Sequence, residues 1–210
     1  GSFHSFAWSP DGQRFLLERR MEAASELWVG DSASGRIRPI AYLRLSQALL
    51  QGELTWLNPR ELVVTSVPDR RGTAPQTSRA PSGPAVQENQ GRVSPERTYP
   101  DLLKNTHDEA LFEYHARTEL TLVDVVSGSS RDLGATGLFS SISSVGDGQY
   151  LLSERLVRPF SYSLSWEDFP RVVELRNREG RVLRELARVP LKQGVAVAGV
   201  VNGPRAFFAS

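Results

Sequence analysis

The residues able to do chemistry in this chain are few, and none is arranged as a self-contained active site. There is no cysteine, so disulfides, thiolate metal sites and cysteine nucleophiles are excluded. No G-x-S-x-G occurs, which removes the strand-to-helix turn that presents a hydrolase serine. Gly146-Asp147-Gly148 lacks the third glycine of a dinucleotide loop, and no P-loop is present. His4, His107 and His115 have neither zinc spacing nor an H-E-x-x-H frame and read as structural or solvated. Asp11 and Asp147 sit in turns without the alternating acids of a calcium loop. No catalytic residue, metal ligand or cofactor is therefore assigned. What remains is ligand contact, and the best segment for it is Arg158-Pro159-Phe160-Ser161-Tyr162. A guanidinium beside aromatics can pair with a carboxylate of a bound peptide, which makes Arg158 and Tyr162 candidates. Arg97 and Arg92 share that reading to a smaller degree. The plainer alternative is an inter-strand loop whose aromatics cover the core.

The elements that would carry these residues come from a recurring hairpin. Phe6-Ala7-Trp8-Ser9-Pro10-Asp11-Gly12-Gln13-Arg14-Phe15-Leu16-Leu17 reads strand, turn, strand, with Pro10 presetting φ and Gly12 supplying the left-handed position. Trp56-Leu57-Asn58-Pro59 restarts the pattern, and Gly146-Asp147-Gly148-Gln149-Tyr150-Leu151-Leu152 repeats the Asp-Gly-Gln turn. Trp8 and Trp56 lie 48 residues apart, a spacing that suits a propeller blade. A later strand, turn and strand also recurs, at Glu26-Leu27-Trp28-Val29, Glu119-Leu120-Thr121-Leu122 and Arg171-Val172-Val173-Glu174. The fold predicted is all-β, a partial β-propeller of about three to four blades, each a four-stranded antiparallel sheet. Its expected blades are residues 1–41, 52–135 and 138–190, with 194–210 opening another. Trp8, Trp28 and Trp56 are expected in blade cores.

The middle blade carries an insertion, roughly 68–117. Six prolines from Pro68 to Pro100, with Gly72, Gly83 and Gly91, rule out regular structure in its first part. Its second part is predicted helical, opened by a Thr106-x-x-Glu109 capping box. Loops of this length are functional or disordered in compact domains. Three blades and the opening of a fourth do not close a ring, which needs at least four, so the chain is expected to be a fragment. Gly1-Ser2 reads as a tag remnant, and the native start, with any export signal, is expected to be missing.

Net charge is +1, from 25 basic and 24 acidic residues, which argues against nucleic acid or an anionic membrane surface as main partner. Of the bases, 23 are arginine, a bias that reads as genome composition. No run approaches the ~18 apolar residues of a membrane span. A periplasmic or secreted site and a cytoplasmic one are both compatible with the composition.

Pro81-Ser82-Gly83-Pro84, Gln87-Glu88-Asn89 and Arg97-Thr98-Tyr99-Pro100-Asp101-Leu102-Leu103-Lys104-Asn105 resemble the prolyl oligopeptidase family of serine peptidases, in its glutamyl endopeptidase branch. Asp108-Glu109-Ala110-Leu111-Phe112-Glu113-Tyr114, Arg158-Pro159-Phe160-Ser161-Tyr162 and Phe169-Pro170-Arg171-Val172-Val173-Glu174-Leu175 continue the likeness, and Val182-Leu183-Arg184-Glu185-Leu186 extends it. The resemblance implies a propeller that limits entry of peptides to a C-terminal α/β-hydrolase domain with a Ser-Asp-His triad. The expected partners are that domain and a peptide substrate. The triad positions would lie beyond Ser210, so none is carried over. Cleavage after glutamate, which the branch implies, calls for an arginine at that side chain, and Arg158 is the hypothesis. The rival reading is a non-enzymatic WD40-like or TolB-like propeller that scaffolds protein partners. A sugar-cleaving propeller needs paired carboxylates, and no pair stands out.

Overall fold

Local turn chemistry starts the fold. In the computed structural model, which describes residues 3–22, 24–49, 54–76 and 102–191, Gly12 has φ 67° and its N–H donates to Ser9 O at 2.9 Å. The Ser9 hydroxyl donates to Asp11 Oδ1 at 2.6 Å and accepts from the Arg14 N–H at 2.9 Å. This turn joins β1 (Phe3–Trp8) to β2 (Arg14–Arg20), in antiparallel register. β3 (Ser25–Asp31) and β4 (Ile37–Pro39) complete a four-stranded sheet in the order β1-β2-β3-β4.

A second, seven-stranded sheet holds β5 (Thr55–Trp56), β6 (Glu61–Ser66), β7 (Thr118–Asp124), β8 (Ser129–Val145), β9 (Tyr150–Leu156), β10 (Arg171–Asn177) and β11 (Val182–Val189), hydrogen-bonded in sequence order. β8 is 17 residues long, well beyond the usual strand, because it serves two partners. Residues 129–137 pair with β7, and Leu138 to Val145 pair with β9. The same strand thus closes one four-stranded group and opens the next. Leu45 bridges Ser25 of the first sheet to Ser66 of the second.

Burial follows the period-two geometry of strands. On β6, Leu62 and Val64 join a core with Leu16, Leu27 and Val29, while Val63 points the other way, to a core with Leu120, Phe139 and Leu151. On β7, Val123 packs with the first core while Leu120 and Leu122 pack with the second. A sheet with apolar residues on both faces must be sandwiched between neighbours, which is how propeller blades pack. The architecture is mostly β, antiparallel, and a partial propeller.

The tryptophans depart from expectation. Trp8 is 51% exposed and meets the edge of Phe15. Trp28 is half-buried, between the Phe3 ring and the Arg19 guanidinium, and Trp56 only flanks the first core. Aliphatic side chains fill the positions the indoles were expected to take. The helix is found as α1 (Thr106–Ala116), directly before β7. Its N-cap is Asn105 rather than Thr106: the Asn105 side chain accepts from the Asp108 N–H at 2.9 Å. The expected opening of a further blade at 194–210 lies outside the described residues, as does the insertion over 77–101.

Candidate functional site

Helix α1 is fixed at both ends by its own sequence. Asp108 and Glu109 place negative charge in the first turn, and the Arg117 N–H caps the last by donating to Glu113 O at 3.0 Å. Its Phe112 ring meets Phe160 and Phe169 edge-on, at 5.3 and 5.7 Å, and those two rings stack at 5.1 Å. Phe160 and Phe169 are buried with Ala116, Leu138 and Leu156. The loop from Arg158 to Pro170 therefore does cover a core with its aromatics, and that core holds α1 against β8 and β9.

Arg158 lies outside this aromatic layer, 5.0 Å from the Phe160 ring centroid. Its Nη1 donates to Glu109 Oε2 at 2.5 Å and its Nε to Glu113 Oε1 at 2.9 Å. Glu109 and Glu113 are one helical turn apart and share a face, so one guanidinium spans both. Hydrogen bonds and charge from Glu113 and Glu109 raise the Arg158 pKa above the ordinary arginine value. Tyr162 joins the same group: desolvation first, then a hydrogen bond to Glu109, raises its hydroxyl above its ordinary value. Arg158 and Tyr162 are thus brought together at Glu109. Their shared carboxylate is the chain's own Glu109. Arg92 and Arg97 lie outside the described residues.

His107 lies in the first turn of α1 and His115 in its last, where its ring stands 5.1 Å from Tyr114, edge to face. Among the described residues no three His, Asp or Glu side chains gather as a metal site. Asp11 is a turn residue, its carboxyl lowered chiefly by the Ser9 hydroxyl.

Sequence reasoning passed over a cleft of about 750 Å³ between α1 and the segments that follow β4 and β6. Arg44, Gln47, Asp69, Arg71, Tyr114 and His115 are among its lining residues. Its walls are pinned by Val67 N–H donating to Arg44 O at 2.8 Å and by the Tyr114 hydroxyl donating to Gly72 O at 3.2 Å. Arg71 donates from Nη2 to His115 O at 2.6 Å, and its guanidinium carbon lies 4.9 Å from the Tyr114 ring centroid. The only sequence signal was the pair Arg70-Arg71 at the start of the Pro-rich insertion.

No family model matches the chain. Curated relatives do. The probable chloroplastic glutamyl endopeptidase of rice, Oryza sativa subsp. japonica, is 32% identical over 213 residues, taking in 96% of this chain and 22% of its own length. The corresponding protein of Arabidopsis thaliana is 30% identical over 206 residues, taking in 94% of this chain and 21% of its own length. The chain therefore spans about a fifth of these relatives. Among solved structures, one from a study of two prolyl endopeptidases superimposes with a TM-score of 0.53 over 90% of this chain and 22% of that one. It is 12% identical, a likeness of fold alone. The chain belongs to the glutamyl endopeptidase-like branch of the prolyl oligopeptidase family, and corresponds to a portion of its β-propeller.

Proposed function

We propose that this chain gates peptide access to an α/β-hydrolase domain carried by the same longer protein, a serine peptidase with a preference for glutamate. The observation that carries the reading is identity to glutamyl endopeptidases over nearly the whole chain but a fifth of their length. On this reading the three four-stranded groups are blades, over 1–41, 52–135 and 138–190, and β8 is the crossing from the second blade to the third. Sheets packed on both faces make a rigid wall, and a rigid wall excludes folded substrates while passing extended peptides. On this reading the nucleophile, general base and oxyanion donors belong to the α/β-hydrolase domain. The same identity favours the peptidase reading over a non-enzymatic scaffold.

Arg158 and Tyr162 have a narrower place in this scheme. A peptide carboxylate reaching Arg158 would have to displace Glu109 or Glu113, each already within hydrogen-bond distance. Positioning of α1 is therefore the primary role we assign to Arg158, with substrate contact by carboxylate exchange as the second. In the longer enzyme, Arg158→Ala lowers kcat/KM for all peptides alike if it positions α1, and selectively for Glu peptides if it contacts them. The gating proposal is tested with a fluorophosphonate probe. The expected result is one labelled serine in the longer protein and none in this chain. A labelled serine within residues 1–210 would overturn it.

A further inference from the structure

Arginine Nε atoms mark unmet hydrogen-bond donors in this molecule, and the ion pairs separate those whose charge is met from those whose charge is not. Among the described residues three are buried without a hydrogen-bond partner, those of Arg19, Arg71 and Arg171. Arg19 holds Glu26 through Nη2 at 2.7 Å, and Arg171 holds Glu154 through Nη1 at 3.2 Å. Arg71 holds no carboxylate among the described residues, and neither does Arg44 across the cleft. A half-buried guanidinium with no counter-ion among the described residues is costly unless it finds one, and the usual remedy is a bidentate anion. Desolvation, with Arg44 as a second cation nearby, lowers the Arg71 pKa, and the Tyr114 ring and the His115 carbonyl offset only part of that cost.

We propose that the cleft between α1 and the segment after β6 binds a carboxylate, held by Arg71 with Arg44 as the second cation. The Tyr114 ring lies 4.9 Å from the guanidinium carbon and the His115 carbonyl holds Nη2, so the fork is restricted before a ligand arrives. Glu22 and Asp69 also line the cleft, and both are exposed. Neither comes within 4.0 Å of either guanidinium, so they act to exclude dianions and poorly placed acids rather than to fill the site. Arg158 is the opposite case, a guanidinium whose charge is already paired with Glu109 and Glu113. Carboxylate binding follows from the cleft alone, whereas a peptide as its source rests on the peptidase reading.

The test is a titration of the 210-residue chain, followed by the Nε–H resonances of its arginines. The probes are N-acetyl-glutamate amide, its glutamine analogue, and N-acetyl-Gln-Ala with a free C-terminus. The expected result is a saturable shift of the Arg71 Nε–H with the glutamate probe, in the millimolar range, and none with the glutamine analogue. Arg71→Gln weakens binding by about tenfold or more, and Arg44→Gln by a few-fold, as loss of a fork and loss of a distant charge require. Stronger binding of the glutamate probe than of N-acetyl-Gln-Ala supports the site and makes an acidic side chain its ligand. Equal or stronger binding of N-acetyl-Gln-Ala supports it too and makes a chain terminus the ligand. Equal shifts with glutamate and glutamine probes, or no saturation up to about 100 mM, overturn the proposal. If Arg71→Gln does not fold, Arg44→Gln and the glutamate–glutamine pair on the unaltered chain still decide it. None of these results bears on fluorophosphonate labelling, so the two proposals fail separately.

Discussion

Replacing Arg158 by alanine should loosen α1 without unfolding the sheets. The guanidinium makes two ion pairs, to Glu109 and Glu113, and its side chain is 51% exposed, so solvent screens both. Exposed pairs contribute about 0.2–1 kcal/mol each, and screening puts the two together near 1 kcal/mol. Its removal also leaves Glu109 and Glu113 facing each other at i,i+4, a repulsion of about 0.2–0.5 kcal/mol. The lost contact with Phe160 adds about 0.5 kcal/mol. The expected total is about 2 kcal/mol, read from urea midpoints, with faster amide exchange confined to α1. In 1 M salt, where the Debye length is about 3 Å, more than half the difference from wild type should vanish. Phe169→Ala provides the contrast, because that ring is 2% exposed and stacks on Phe160. It should cost about 3–5 kcal/mol regardless of salt. A salt-independent loss above about 3 kcal/mol for Arg158→Ala would refute this division between an ionic latch and an aromatic anchor.

Other consequences follow from single positions. A Cβ on Gly148 would lie 2.0 Å from Leu57 O at φ +79°, so Gly148→Ala should cost about 3 kcal/mol by thermal or urea unfolding. At Gly12, φ +67° with nothing within 4 Å, the same change should cost about 1 kcal/mol. Asp124 is held by Arg60 and by the N–H groups of Val126 and Ser127, and its carboxyl lies well below the ordinary range. That stabilisation is present above the unfolded carboxylate value near ~4 and is lost as pH falls below it. The stability gap between wild type and Asp124→Asn should be flat from neutral pH to about pH 5 and close under acid. Glu119 has the opposite sign, since burial and then Asp132 and Asp69 raise its pKa. Its ionised form is the disfavoured one, so Glu119→Gln should raise Tm at neutral pH, and the gain should shrink as acid protonates the wild-type residue.

What could be read in advance divides by range. The Ser9 to Gly12 turn was legible because its hydrogen bonds close within five residues. The helix was legible, and its cap was off by one because two boxes overlap, Asn105-x-x-Asp108 and Thr106-x-x-Glu109. Tertiary structure decides between them: the Glu109 carboxylate is engaged by Arg158, 49 residues away in sequence. Hydrophobicity marked Trp8 as core, yet nothing local says whether a neighbour will cover a strand face, and Trp8 stays half in solvent. The Arg158–Tyr162 segment was found by its residue types, while the helix carboxylates that occupy it were not, for the same reason of range. The Arg71 cleft was missed entirely. What singles out Arg71 is the lack, among the described residues, of an acid within 4.0 Å, which no linear spacing encodes.

The gating role is tested most directly by one comparison on the longer protein that carries this chain. A glutamate-containing sequence is presented once as a free peptide of about ten residues and once inside a stably folded protein, and the two cleavage rates are measured under identical conditions. Gating requires rapid cleavage of the peptide and cleavage of the protein only after it is unfolded. Equal rates on the peptide and the folded protein would contradict it.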